Sequence, residues 1–255
     1  MFPLLTMRNV VIFSVFVLLA ATGVLSYSGK WTAIFGGGGG KSATGAGYTI
    51  EEIPIEKTIP PPDYNRQVKF AAGTSEEVKK AVMLNITDLT GRLKKSTLDS
   101  EAWLNLGTMY KIAGDYEGAR VIWEYLSAVS PGNYPSFANL GNLYHHYLND
   151  YQKAEQNYLR AIGNNRAFID GYRSLYELYR YSYAAKASEA PKILLAGIAA
   201  NPSSTDLLIL LAGYYKEKDD MANARTYYEK ALALAEKNGN TALAASLRAE
   251  IESLR

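Results

Sequence analysis

The sequence predicts an all-α fold, an α-solenoid of stacked antiparallel helix pairs, and three observations carry that prediction. Within Asp99–Gly132, Trp103, Leu106, Gly107 and Tyr110 recur at i, i+3, i+4 and i+7, which puts them on one helical face. Gly114-Asp115 then signals a turn, and a second helix carries Ala119, Trp123 and Leu126. Pro131-Gly132 closes the unit, because proline cannot continue a helix. The same order of residue types returns three more times before the C-terminus. One helix pair of this size cannot bury its own apolar face, so neighbouring copies must supply the missing surface.

The order W-x2-L-G-x2-Y, then A-x3-aromatic, then P is held by Trp103, Leu106, Gly107, Tyr110, Ala119, Trp123 and Pro131. It resembles the tetratricopeptide repeat, a helix-turn-helix unit of 34 residues. Leu126 stands where alanine is commoner. The resemblance implies a superhelical stack whose groove, lined by the first helix of each repeat, binds a peptide or helix of a protein partner.

Taken in order, residues 1–9 are a short tail and residues 10–28 read as a transmembrane helix. Val10–Tyr27 carries no charge and would span about 27 Å as a helix, close to the thickness of a bilayer's hydrocarbon core. Tyr27, Trp31 and Phe35 follow as an interfacial aromatic belt. The alternative is a cleaved signal peptide leaving a secreted protein, since Ser26 and Ser28 supply small residues around a cleavage site, but the apolar run exceeds the usual length. Arg8 and the amino terminus favour a cytoplasmic N-terminus, with the repeats beyond the membrane. Residues 29–73 read as a Gly/Pro-rich linker: GGGGGKSATGAG at 36–47, then the stiffer Pro60-Pro61-Pro62. Gly40-Lys41-Ser42 is no phosphate-binding loop, because Phe35 stands where that motif needs glycine and neither a strand nor a helix flanks it.

Residues 74–98 form an N-terminal capping helix. Ser75 precedes Glu76 and Glu77 in the manner of a helix start, and Val78, Val82, Ile86, Leu89 and Leu93 share a stripe. Four repeats follow at about 99–132, 133–166, 167–202 and 203–237. The second places Phe137, Leu140, Gly141 and Tyr144 on the signature, then Ala154, Tyr158 and Ala161; His145-His146-Tyr147-Leu148 absorbs one extra residue near its turn. The third has Tyr172, Leu175, Tyr176 and Tyr179, then Ala190, Leu194 and Pro202, with two extra residues in RYSYAAKASEA. Tyr176 occupies the small-residue position, where a bulky ring should splay or rotate the pair. The fourth has Leu208, Leu211, Ala212 and Tyr215, then Ala224, Tyr228 and Ala231. Residues 238–255 give a C-terminal capping helix with Leu243, Leu247, Ile251 and Leu254 on its apolar side.

Composition excludes several chemistries. There is no cysteine, so disulfides, thiolate metal sites and cysteine nucleophiles are ruled out. Residues 74–255 hold 21 basic and 21 acidic side chains, without the basic stripe that nucleic-acid binding requires. His145 and His146, the two histidines, are adjacent and diverge by about 100° on a helix, which disfavours a shared metal; at a repeat turn they read as solvent-facing. The sequence points to no catalytic residue, metal or cofactor. Candidate partner-binding residues are those between signature positions on the first helices: Asn105, Thr108, Asn139, Asn142, Arg173, Glu177 and Arg180. Their side chains can hold an extended peptide through paired donors and acceptors. The carboxylate clamp of one repeat subfamily is not reproduced, since Leu104, Thr108, Asp170 and Ser174 stand where its Lys, Asn and Arg belong. Self-association through the third repeat or the final helix is the second interaction reading.

Overall fold

The computed structural model describes residues 59–254, and among them every regular element is helical. Ten α-helices run in order: α1 Glu76–Lys95, α2 Ser100–Ala113, α3 Tyr116–Val129, α4 Tyr134–Leu143, α5 Tyr151–Asn164, α6 Ile169–Glu177, α7 Ala190–Ala200, α8 Thr205–Glu217, α9 Met221–Lys237 and α10 Thr241–Ser253. Helices α2/α3, α4/α5, α6/α7 and α8/α9 are the four hairpins, and each packs on the next through its second helix. The α1 helix packs on α2 at one end of the stack and α10 on α9 at the other. The transmembrane helix expected at 10–28 and the expected linker up to residue 58 lie outside the described residues. Among the described ones, no helix is long and apolar enough to cross a membrane.

Most helices begin on a side-chain cap. Ser75, Asp99, Asp115, Asn133, Asp150, Ser204, Asp220 and Asn240 each accept the N–H of the third residue after them. Each thereby satisfies a backbone donor that the helix itself leaves unpaired. The capping residue is Asp, Asn or Ser in each case. Helices α6 and α7 lack such caps, and there the chain departs most from the regular unit.

The core is built on a size match inside each hairpin. Trp103, Leu106, Tyr110, Ala119, Trp123 and Leu126 are essentially inaccessible. Gly107 lies directly under the Trp123 indole, so that a Cβ there would overlap the ring, and Trp123 Nε1 donates to the Leu104 carbonyl at 3.0 Å. Gly141 meets the Tyr158 ring in the same way. In the third hairpin the sizes are exchanged. Tyr176 replaces the small residue of the first helix and is buried, while Leu194 replaces the aromatic of the second. The close approach moves to Gly197 of α7, where a Cβ would stand 2.9 Å from both Tyr172 Cγ and Leu207 Cδ1. Gly197 meets Tyr172 of its own hairpin and Leu207 of the next, so the contact packs α7 against both α6 and α8.

The insertions foreseen in the second and third repeats appear as π-turns continuing α4 and α6, at Tyr144–Leu148 and Leu178–Ser182. A π-turn closes i to i+5 and so holds one more residue than an α-turn. The second extra residue of the third repeat is absorbed in a 3₁₀ segment, Ala184–Glu189.

The linker expected across 29–73 ends earlier than its composition suggests, because residues 64–71 strap the turn of the first hairpin. Asp115, almost fully buried, binds Arg66 Nη1 at 3.1 Å and accepts the Lys69 backbone N–H at 3.1 Å while also capping α3 through Gly118. The Ala71 N–H donates to the Ala113 carbonyl at 2.8 Å. Tyr64 meets Trp103 edge-on at 5.5 Å, and the Arg66 guanidinium lies 5.3 Å from the Tyr110 ring centre. An extended segment has no internal partners for its N–H groups, so this carboxylate and the free carbonyl at the end of α2 fix it in place.

The Gly107–Trp123 match gives a direct test. Gly107→Ala is expected to lower the free energy of unfolding by about 2 kcal/mol through overpacking, although alanine is the better helix former. Gly163→Ala, in α5 with nothing within 4 Å of the added Cβ, is expected to be neutral or slightly stabilising. Chemical denaturation of both variants checks this; equal effects would contradict it.

Candidate functional site

The first helices present their unburied face along the stack, and polar side chains join one repeat to the next there. Lys111 of α2 donates to Asn142 of α4, Nζ to Oδ1 2.6 Å. Arg180, in the π-turn after α6, pairs with Glu217 of α8, and Lys216 of α8 pairs with Glu250 of α10. The links stitch neighbouring first helices, whereas the second helices are joined near their ends by Asn164 and Asn201, whose amides donate to the Pro131 and Arg166 carbonyls.

The seven sequence-nominated residues lie on this face or in the π-turn that extends it. Asn105 and Asn139 are half-buried on α2 and α4. Thr108 spends its hydroxyl on the Leu104 carbonyl within its own helix. Asn142 is held by Lys111. Arg173 is exposed and pairs with Asp170 at 2.8 Å, so that it is not directed to Glu177. Glu177 is half-buried, and burial pushes its carboxyl above the usual range against the pull of Arg173. Arg180 lies against the rings of Tyr181 and Tyr214 while bound to Glu217. The structure therefore brings Asn142 to Lys111 and Arg180 to Glu217. Of the signature set, Pro131 is exposed after α3 and the other six are buried.

Three contributors were missed from sequence. Lys111 lies three residues beyond Thr108 and shares its face, a spacing that could have found it. Its ammonium is half-buried, its pKa lowered by that burial, and it stands 5.2 Å from the Tyr147 ring centre. Tyr158, read as a core ring, leaves its hydroxyl buried without a hydrogen-bond partner. Burial raises its pKa, against the pull of Ser174 and Asn142, which lie near enough to act on it.

His145 is the third, and it corrects half of the expectation of a solvent-facing pair, for His146 is exposed and His145 is not. It is 5% exposed, stacked on His146 with centroids 3.9 Å apart and edge-on to Tyr158 at 6.2 Å. Its Nε2 shares a hydrogen bond of 2.9 Å with Ser182 Oγ, which ties one π-turn to the other, and its Nδ1 is buried without a partner. The extra residue of the π-turn turns the imidazole inward, and this also brings the two rings together instead of diverging. No sequence signal distinguishes an insertion taken up as a π-turn from one looped into solvent. Among the described residues no cluster of His, Asp or Glu could hold a metal ion.

The comparisons with known proteins agree with this geometry at the level of the fold. The family model described as tetratricopeptide repeat matches residues 134–168 and 205–238, the second and fourth hairpins. The chain therefore contains tetratricopeptide repeats. Among solved structures, a crystal structure of MamA is similar at 20% identity and a TM-score of 0.50, over 66% of this chain and 99% of that one. A second MamA crystal structure is similar at 21% identity and 0.49, over 64% and 86%. TTC0263, a thermophilic TPR protein of Thermus thermophilus, is similar at 19% identity and 0.46, over 69% and 90%. At 20% identity the likeness to MamA concerns the fold. No curated protein matches the chain.

Burial of His145 has a pH signature. Burial, helped by the neighbouring His146, lowers its pKa from 6.5 to about 4. Between those values the unfolded chain takes up a proton that the folded one refuses, so the His145 contribution is whole above pH 6.5 and is lost as pH falls towards 4. His145→Gln, which keeps an amide near Ser182 but does not titrate, is expected to flatten the fall in unfolding temperature over that interval. Parallel profiles for the two proteins would contradict the assignment.

Proposed function

We propose that this protein is a membrane-tethered scaffold whose repeat groove, lined by α2, α4, α6 and α8, holds a segment of a partner protein. The observation that carries the reading is the character of that face. It is polar and half-buried, and it is stitched between repeats by side chains without any constellation that would perform chemistry. Such a surface offers fixed donors and acceptors at regular spacing, which suits recognition of an extended or helical segment. The fold likeness and the repeat family are consistent with a binding role and assign no catalysis.

The tether is the charge-free segment Val10–Tyr27, followed by the Gly/Pro-rich spacer, with the N-terminus in the cytoplasm and the repeats on the far side. Holding the groove near a membrane raises the effective concentration of a membrane-associated partner. The strap at 64–71 supports this arrangement, because it fixes the end of the spacer onto the first repeat and gives the stack a defined point of attachment. The scaffold acts through binding alone and needs no cofactor, metal or nucleic acid.

Two experiments test the reading. A photo-cross-linking residue at Thr108 is expected to capture a partner in intact cells, where one at Gln156, exposed on α5, captures none. Asn139→Ala with Asn142→Ala should abolish the Thr108 adduct, and an unchanged adduct would remove the groove from the account. For the tether, alkaline carbonate extraction is expected to leave the chain in the membrane pellet and to release a variant lacking residues 10–28. A mature N-terminus beginning after Tyr27 would point to secretion instead.

A further inference from the structure

Most cations on the first-helix face are matched by a carboxylate, with Arg180 on Glu217 and Lys216 on Glu250. One stretch is not. Lys111 donates to the neutral oxygen of Asn142, so its charge is uncompensated among the described residues. Beyond Asn142 comes the Tyr158 hydroxyl, in a side chain 2% exposed and without a partner, with Ser174 beside it. Glu177 follows, half-buried and in no salt bridge among the described residues; Arg173 pairs with Asp170 and acts on Glu177 only as a nearby charge.

The repeat geometry makes these groups contiguous. Asn142 and Glu177 hold equivalent positions on α4 and α6, each one residue after the small-residue position of its hairpin. The next residue in that row is Gly213 of α8, which has no side chain; a Cβ there would find only the Tyr228 hydroxyl, at 3.9 Å. Space is therefore left beside Glu177. The result is a line crossing three hairpins, with an unmatched cation at one end and an unmatched carboxyl at the other. Neutral groups lie between them. Uncompensated charge in a half-buried place is costly, whereas the Arg180 and Lys216 charges on the same face each meet a carboxylate.

We infer that this line is the recognition site for a dipolar peptide segment, which places a carboxylate on Lys111 and a basic side chain on Glu177, with Asn142 and Ser174, both half-buried, meeting the polar groups between. The inference rests on the groove reading above and adds the chemical class of the segment. Burial lowers the pKa of Lys111 and raises that of Glu177, the directions expected of two charges that gain stability when a counter-charge arrives. Selectivity follows from the arrangement. A purely acidic segment leaves Glu177 desolvated and repelled, and a purely basic one does the same to Lys111.

The test uses the full chain in neutral detergent and fluorescein-labelled capped peptides, each with one aspartate and one arginine separated by zero to three glycines. Controls replace the two by asparagine and citrulline. At one spacing the charged peptide is expected to bind about tenfold or more tightly than its neutral control, as charged hydrogen bonds warrant. Lys111→Met should cancel the benefit of the aspartate alone, and Glu177→Gln that of the arginine alone. Unfolding temperatures of both variants, measured alongside, are expected to stay at or above the parent value, since each substitution removes an uncompensated charge. Equal affinity for charged and neutral peptides, insensitivity to both variants, or no binding at any spacing would overturn the inference. If the Thr108 cross-link still formed and still depended on Asn139 and Asn142, the groove reading would survive that failure. Loss of the cross-link would remove both.

Discussion

Everything in this stack depends on how closely two antiparallel helices can approach inside one hairpin. Gly107 beneath Trp123 and Gly141 beneath Tyr158 let a large ring fill the space that a side chain on the facing helix would take. Close approach brings the rest of the apolar face into register with the next hairpin, which is the surface available to cover it. The third hairpin departs from this match. Tyr176 and Leu194, both buried, hold the two positions there, and the close contact of α7 is that of Gly197 with Tyr172 and Leu207. The local cost is a short α6 without a side-chain cap and a run of π and 3₁₀ turns before α7.

Those departures are also what shape the unburied face. Each π-turn extends a first helix by a residue out of α-register, so side chains beyond it emerge in directions the regular repeat does not offer. In the second hairpin the change buries His145 and brings it to Ser182 of the next π-turn. In the third it sends Arg180 across to Glu217. Regular repeats would repeat their surface as well, whereas here the surface varies from hairpin to hairpin. The strap at residues 64–71 adds a second economy. One buried carboxylate, Asp115, caps a helix, binds Arg66 and receives a backbone N–H, so that the start of the folded region is fixed by the same residue that turns the first hairpin.

Much of the helical layout was readable because it rests on local signals. Spacing of Trp103, Leu106, Gly107 and Tyr110 gave the buried face of α2, Ser75 marked the start of α1 by residue type, and Gly114-Asp115 marked the turn into α3. The strap was not readable, since residues 64–71 have no periodicity and follow a proline run. Their order comes from partners far along the sequence, as Arg66 and Asp115 show. His145 was misjudged for a related reason: an extra residue announces an irregular turn but not the direction in which it rotates a side chain. At the site, the polar positions of α2, α4 and α6 were legible from the helical period. Their pairing was not, because whether Arg173 meets Asp170 or Glu177, or whether Lys111 finds an acid, is settled by distances between repeats.

The central claim is that the varied first-helix face, and not the outer face of the second helices, meets the partner. Hydroxyl-radical footprinting in intact cells, compared with the purified chain, tests it most directly, since exposed tyrosine and leucine side chains report on both faces. Tyr147 and Tyr181, 40% and 67% exposed beside the Lys111 and Arg180 links, are available on one side, and Leu195 of α7, 40% exposed, on the other. The account predicts that labelling of Tyr147 and Tyr181 slows in cells while that of Leu195 is unchanged. Protection of Leu195 with both tyrosines labelled as freely as in the purified chain would contradict it.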